Sequence, residues 1–152
     1  MKIAILSPLY PYRGGIAQFS DRLSSEMIKY AEVKEFTFST LYPGFLFPGK
    51  TQYVPDADLS AKEHRVLNSI NPISYITTAK KINQYNPDIL IIAYWMPFMV
   101  PAYYSISLLL KKDIKIIALV HNAISHDKSV IDKPLARLFL GRCDAFITMS
   151  NL

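Results

Sequence analysis

Short, continuous apolar runs recur along the chain, and between them apolar residues return every three or four positions. KIAIL at 2–6, DILIIA at 88–93 and IKIIALV at 114–120 are each long enough for a buried strand and too short for most helices. VKEFTFS at 33–39 alternates in part and reads as a strand nearer a sheet edge, RVLNSI at 65–70 is a short candidate, and 145–149 is a last one. Ile16, Phe19, Leu23, Met27 and Tyr30 fall at helical steps with Asp21, Arg22, Ser25 and Lys29 between them, which predicts an amphipathic helix. A second helix starts at Asn71 and Pro72, runs through Ile73, Ile76, Ala79, Lys80 and Ile82, and stops before Pro87. Segments 97–112 and 134–142 are the remaining helices. Alternating strands and helices predict an α/β fold in which a parallel sheet carries helices on both faces.

Two segments fall outside this alternation. Residues 40–60 hold three prolines and two glycines among aromatics, too punctuated for a regular element and too apolar for a linker, and are expected to fold over the domain as an ordered loop. The junction between the first strand and first helix contains Gly14 and Gly15. A helix start offers unpaired N–H groups and partial positive charge, and glycines let a phosphate reach the backbone there; a plain tight turn is the competing reading.

Parallel sheets bind ligands beyond the carboxyl ends of their strands, where the strand order reverses. The residues in that position are Ser7 to Gly15, Tyr94 to Pro97 with Trp95 among them, His121 with Asn122, and Ser150 with Asn151. Hydroxyls, an indole, an imidazole and a glycine turn on one rim suit a polar, sugar-like ligand. His121, as a neutral imidazole, would hydrogen-bond substrate hydroxyls. His126, five residues on, fits a surface loop or packing as well as function.

Composition narrows the classes. The 152 residues are 51% hydrophobic, ample for one domain core, and the apolar stretch from Trp95 to Leu110 is interrupted by Pro97, Pro101, Ser105 and Ser107, short of the roughly 20 residues that span a bilayer. No convincing secretion signal is present. A single cysteine, Cys143, forms no internal disulfide and fits a reducing cytoplasm. A formal charge of +5 favours acidic partners: a nucleotide-linked substrate, an anionic membrane surface or, least of the three, nucleic acid, since the ten tyrosines are scattered without an RNA-binding motif. Lys128, Lys133, Arg137 and Arg142 would be the basic face toward a membrane.

The nucleotide motifs G-x-G-x-x-G and G-x-x-x-x-G-K-[ST] are missing, as are the acidic residues a phosphate-receiver domain needs after its first strand. Asp56 and Asp58 match a bare two-carboxylate metal pattern but sit in a loop with no strand leading into it, and one Cys with dispersed histidines argues against zinc. No metal or other cofactor is expected.

Six ordered blocks, SPLYPYRGGIAQFSDRL, LYPGFLFPGKTQ, NPISYITTAKKI, YWMPFMVPA, VHNAISHDKS and CDAFITMS, together resemble the N-terminal half of bacterial family-four glycosyltransferases of the GT-B type. The resemblance implies a Rossmann-like domain forming one wall of a cleft, and retaining sugar transfer from a nucleotide-sugar donor without a catalytic metal. It implies that Gly14 and Gly15, with Asn122 beside them, approach the donor phosphates and sugar, and that His121 touches the transferred sugar. This half would chiefly supply the acceptor site, with Trp95, Lys50 and Gln52 as candidates for binding a saccharide or lipid-linked acceptor on the way to a cell-surface polysaccharide or glycolipid. The family's donor-binding second domain, with its paired glutamates, is not among these residues. The chain is therefore expected to be half of a longer cytoplasmic enzyme at the inner face of the membrane; the alternative is a non-catalytic acceptor-binding or membrane-recruiting subunit of a split enzyme.

Overall fold

The computed structural model describes residues 1–44, 51–60, 64–122 and 132–148. Six parallel strands form one sheet: β1 (Lys2–Leu6), β2 (Glu32–Thr40), β3 (Arg65–Asn68), β4 (Ile89–Tyr94), β5 (Lys115–Val120) and β6 (Ala145–Thr148), in the order β3-β2-β1-β4-β5-β6. Four α-helices connect them: α1 (Gly15–Met27), α2 (Pro72–Tyr85), α3 (Val100–Leu109), which a 3-10 turn at Pro97–Met99 precedes, and α4 (Asp132–Leu140). This is the doubly wound, Rossmann-like arrangement, with the order reversing between β1 and β4.

The apolar runs fall where a central parallel strand requires burial on both faces. In β1 and β4, Ile3, Ile5 and Ile91 point to one face, while Ala4, Leu6, Leu90 and Ile92 point to the other; all are buried. Register pairs Ile5 with Ile91 and Ile91 with Ile117, so one row of isoleucines crosses the sheet. Helix α1 covers that row through Phe19, Leu23 and Met27, while α2, α3 and α4 pack on the opposite face. At the far edge, β6 is exposed along its whole length.

Both leading helices differ from their apolar pattern. In α1 the most buried residues are Ala17, Ser20 and Ser24, whose small side chains let the helix approach the sheet, while Phe19, Leu23 and Met27 pack on the isoleucine row and stay partly exposed. The helix ends at Met27, and Tyr30 stands in solvent. In α2, Asn71 caps the first turn, its side chain accepting a 3.0 Å hydrogen bond from the Ile73 N–H. The inward face is Ser74, Tyr75, Thr78, Ala79 and Ile82, whereas Ile73 and Ile76 face out. Two of these inward hydroxyls have partners: Ser74 donates to the Asn68 carbonyl at 2.9 Å, and Tyr75 to the Ser69 carbonyl at 2.7 Å, whereas the Thr78 hydroxyl is buried without a hydrogen-bond partner among the described residues. Helix α3 is also shorter than the apolar stretch, since Leu110 is already extended. Among the described residues no helix is long and apolar enough to cross a membrane.

Candidate functional site

The site is built at the carboxyl ends of β1 and β4, the adjacent strands on either side of the order reversal. From β1 the chain passes through Pro8, Tyr12 and Arg13 to Gly14, which caps α1 at φ 117°, a conformation that L side chains rarely adopt. No side-chain oxygen caps this helix, and its first turn carries no acidic residue. A Cβ built on either Gly14 or Gly15 meets nothing within 4 Å, so the glycines leave open space above a bare helix start rather than close packing.

The loop is held from two sides. Asp21 on α1 accepts a 3.2 Å hydrogen bond from the Tyr10 N–H, and burial raises the Asp21 carboxyl above its ordinary value against the lowering effect of that bond. On the other side, part of the proline-rich loop lies antiparallel to it: the Arg13 N–H donates to the Gln52 carbonyl at 3.0 Å, the Val54 N–H to the Pro11 carbonyl at 3.0 Å, and Tyr12 bridges Tyr53. The Arg65 guanidinium, from β3, lies over the Tyr12 and Tyr53 rings and donates to the Tyr53 hydroxyl at 3.0 Å. Of the loop expected over 40–60, residues 52–54 pack against this junction, and residues 45–50 lie outside the described residues.

Beside the glycines is a small cavity of about 130 Å3, lined by Arg13, Gly14, Gly15, Ile16, Tyr42 and Trp95, among others. Trp95 follows β4, and its indole N–H donates to the Tyr42 hydroxyl at 2.9 Å; that hydroxyl contacts Met96 Sδ at 3.4 Å. Tyr42 is fixed in turn by Gln52, whose carboxamide accepts from the Tyr42 N–H at 3.1 Å and donates to the Tyr42 carbonyl at 2.7 Å. The cavity thus joins a cation, a bare helix start and two aromatic walls.

His121 follows β5, anchored by its N–H to the Tyr94 carbonyl at 2.9 Å. Its ring meets Phe19 edge-on at a centroid distance of 5.5 Å. Phe19 lies four residues past Gly15, about one helical turn up α1, so the imidazole leans on the helix that the glycines open. Nε2 is buried without a hydrogen-bond partner among the described residues, and burial lowers the imidazole pKa, favouring the neutral ring near pH 7.

Of the sequence-derived candidates, Gly14, Gly15 and Trp95 meet in one cavity, and His121 is tied to the same helix. Gln52 stands behind Tyr42 with its amide engaged, and Asn122 is exposed after His121. Lys50 and His126 lie outside the described residues, as do Ser150 and Asn151. Sequence reasoning passed over Arg13, Tyr42 and Phe19. Arg13 had a legible signal, a cation directly before two glycines; Tyr42 had none, because its role depends on two residues distant in sequence. Asp56 and Asp58 lie in the described loop, where Asp58 accepts from the Ser60 N–H at 2.8 Å; among the described residues no three His, Cys, Asp or Glu side chains are placed to hold a metal ion.

No protein-family model matches the chain, and no curated protein matches it. Among solved structures the chain is similar to an alpha-glucosyltransferase in complex with UDP and a 13-mer DNA containing a central A:G mismatch, at 17% identity and a TM-score of 0.64 over 99% of this chain. It is likewise similar to an alpha-glucosyltransferase in complex with UDP and a 13-mer DNA containing an HMU base, at 18% identity and a TM-score of 0.60 over 97% of this chain. In each case the match spans 37% of the neighbour's own length. At such identity the likeness establishes the fold alone, a Rossmann-like α/β unit like the part of these neighbours that the chain matches.

Proposed function

We propose that this chain is the acceptor-side half of a glycosyltransferase that moves a sugar, with retention of configuration, from a nucleotide-sugar donor to a saccharide or lipid-linked acceptor. The observation that carries this reading is the cavity at the order reversal, where Arg13 and the uncapped start of α1 converge beside Trp95 and Tyr42. N–H groups of the first turn and the Arg13 guanidinium suit a diphosphate that gains charge as the sugar departs. The neutral imidazole of His121 suits a hydrogen bond to a sugar hydroxyl, and a cation there would oppose positive charge developing at the anomeric carbon. Indole and phenol walls suit the apolar face of a saccharide. The UDP in both neighbouring structures supports the donor class, and their DNA supplies a competing acceptor class. An anionic membrane surface as the place of action belongs to the same reading.

Chemical-shift mapping with UDP-glucose tests the donor side: perturbations are expected at Gly14, Gly15, Arg13 and His121. Shifts confined to another face overturn the assignment. In the natural enzyme containing this chain, His121→Ala is expected to lower turnover on the order of a hundredfold, the scale set by losing one transition-state hydrogen bond. Near wild-type turnover would sink that role. Supplying oligosaccharide, lipid-linked sugar and duplex DNA as alternative acceptors separates the acceptor classes.

A further inference from the structure

The outer face of α2 is apolar at one end and basic at the other, opposite in character to an ordinary solvated helix face. Ile73 is 70% exposed and Ile76 58%, and Leu109 of α3 stands 45% exposed beside them. Ile76 and Leu109 line a shallow groove of about 550 Å3 whose other walls include Lys80, Asn83 and Lys111. Gln84 borders this groove and also a second cleft, of about 410 Å3, where Lys2, Lys34 and Lys81 surround Tyr85 above Phe36. The Lys2 and Lys34 ammonium groups lie 5.3 and 5.5 Å from the Tyr85 ring centroid, so two like charges share one ring. Two carboxylates border the cleft, Glu32, 3.6 Å from the Lys2 ammonium, and Asp88, which accepts from the Lys2 backbone N–H at 2.7 Å; among the described residues no carboxylate pairs with Lys34, Lys80, Lys81 or Lys111. Lys111 instead donates to the Asn86 side chain at 2.6 Å.

We propose that this α2 face is a docking surface for an anionic phospholipid membrane, with Ile73, Ile76 and Leu109 entering the headgroup boundary and the lysine cleft taking lipid phosphate. Charge complementarity selects this occupant: exposed aliphatics rimmed by unpaired lysines match a surface that is apolar within and negative at its boundary. The inference rests on the membrane part of the proposed function and is independent of the sugar chemistry. The competing face is α4, where Lys133, Arg137 and Leu138 are exposed and the exposed Arg142 donates to the Ser107 carbonyl at 3.3 Å; Lys128 lies outside the described residues.

Co-sedimentation tests it, with vesicles of phosphatidylcholine alone or mixed with phosphatidylglycerol. The protein is expected to sediment with the mixed vesicles and to be released by salt. Lys80→Gln with Lys81→Gln is expected to weaken binding by about tenfold or more, since each lysine near an anionic surface contributes appreciably. Ile73→Ser with Ile76→Ser should weaken it similarly without lowering the melting temperature, both side chains being exposed, and Lys133→Gln with Arg137→Gln should leave it unchanged. Loss of binding only in the α4 pair overturns this face but not membrane association; sedimentation with neither vesicle overturns both. Self-association that the isoleucine pair abolishes, without vesicle binding, would make the face a contact between copies and overturn the lipid assignment.

Discussion

The indole N–H of Trp95 hydrogen-bonds the phenol oxygen of Tyr42 at 2.9 Å, joining residues 53 positions apart across the carboxyl rim of the sheet. The bond holds both aromatic walls of the glycine cavity. Trp95→Leu removes donor and ring and is expected to destabilise the protein by about 3 kcal/mol, the scale of large core truncations, whereas Tyr42→Phe removes only the hydroxyl, for about 1 kcal/mol. Urea denaturation of the two variants measures the difference. Equal losses would mean that the hydroxyl, not the ring packing, holds the wall.

Gly14 and Gly15 distinguish a tight turn from an anion cradle. Gly14→Ala places a Cβ at φ 117° and is expected to cost on the order of 1–2 kcal/mol of stability. Gly15 is the first residue of α1, its added Cβ would meet nothing, and alanine is the better helix former, so Gly15→Ala is expected to leave thermal stability unchanged or slightly raised. If the space above Gly15 admits phosphate, that same variant loses donor binding. A stable Gly15→Ala protein with unaltered donor affinity would reduce the junction to a turn.

His121 gives the protein a pH dependence of known sign. Burial depresses its folded pKa below the ordinary 6.5, so the unfolded chain binds the proton more readily. Its contribution to stability is therefore intact above the unfolded value and is lost as pH falls from about 6.5 through the lower folded pKa. Thermal melts of wild type and His121→Gln between neutral and mildly acidic pH are expected to converge as pH falls. NMR titration of the ring should give a midpoint below 6.5; a higher midpoint would mean that a carboxylate reaches the imidazole.

The 152-residue chain is expected to unfold in one cooperative transition, because β1, β4 and β5 form a sheet with both faces packed by its own helices. By contrast, its nucleotide-sugar affinity is expected to be weaker than about 1 mM, roughly 4 kcal/mol, since on the proposed reading these residues form one cleft wall, which leaves the diphosphate largely in water. Calorimetry against a panel of nucleotide sugars measures this. Micromolar binding would place the whole donor site in these residues.

The sheet was legible in the sequence because a central parallel strand must be apolar on both faces. KIAIL, DILIIA and IKIIALV therefore stood out, and their observed bounds differ from the apolar runs by a residue or so. The glycine junction, Trp95 and His121 could be placed on one rim from connectivity alone, because strand ends in such a sheet share a direction. Helix faces were less legible. Ile73 and Ile76 looked like core residues and stand in solvent, while Ser74 and Tyr75 are buried, since the Asn68 and Ser69 carbonyls at the end of β3 satisfy their hydroxyls and remove the cost of bringing them inside.

By itself, the sequence determined which segments become strands and which residues end them, because burial on two faces imposes a composition that any reader of the chain can see. Only the tertiary structure decided what those ends meet. Gln52 became the support of Tyr42 rather than a wall of the cavity, and Phe19 the support of His121, because those contacts join side chains from different elements, and their partners are set by strand order and helix approach.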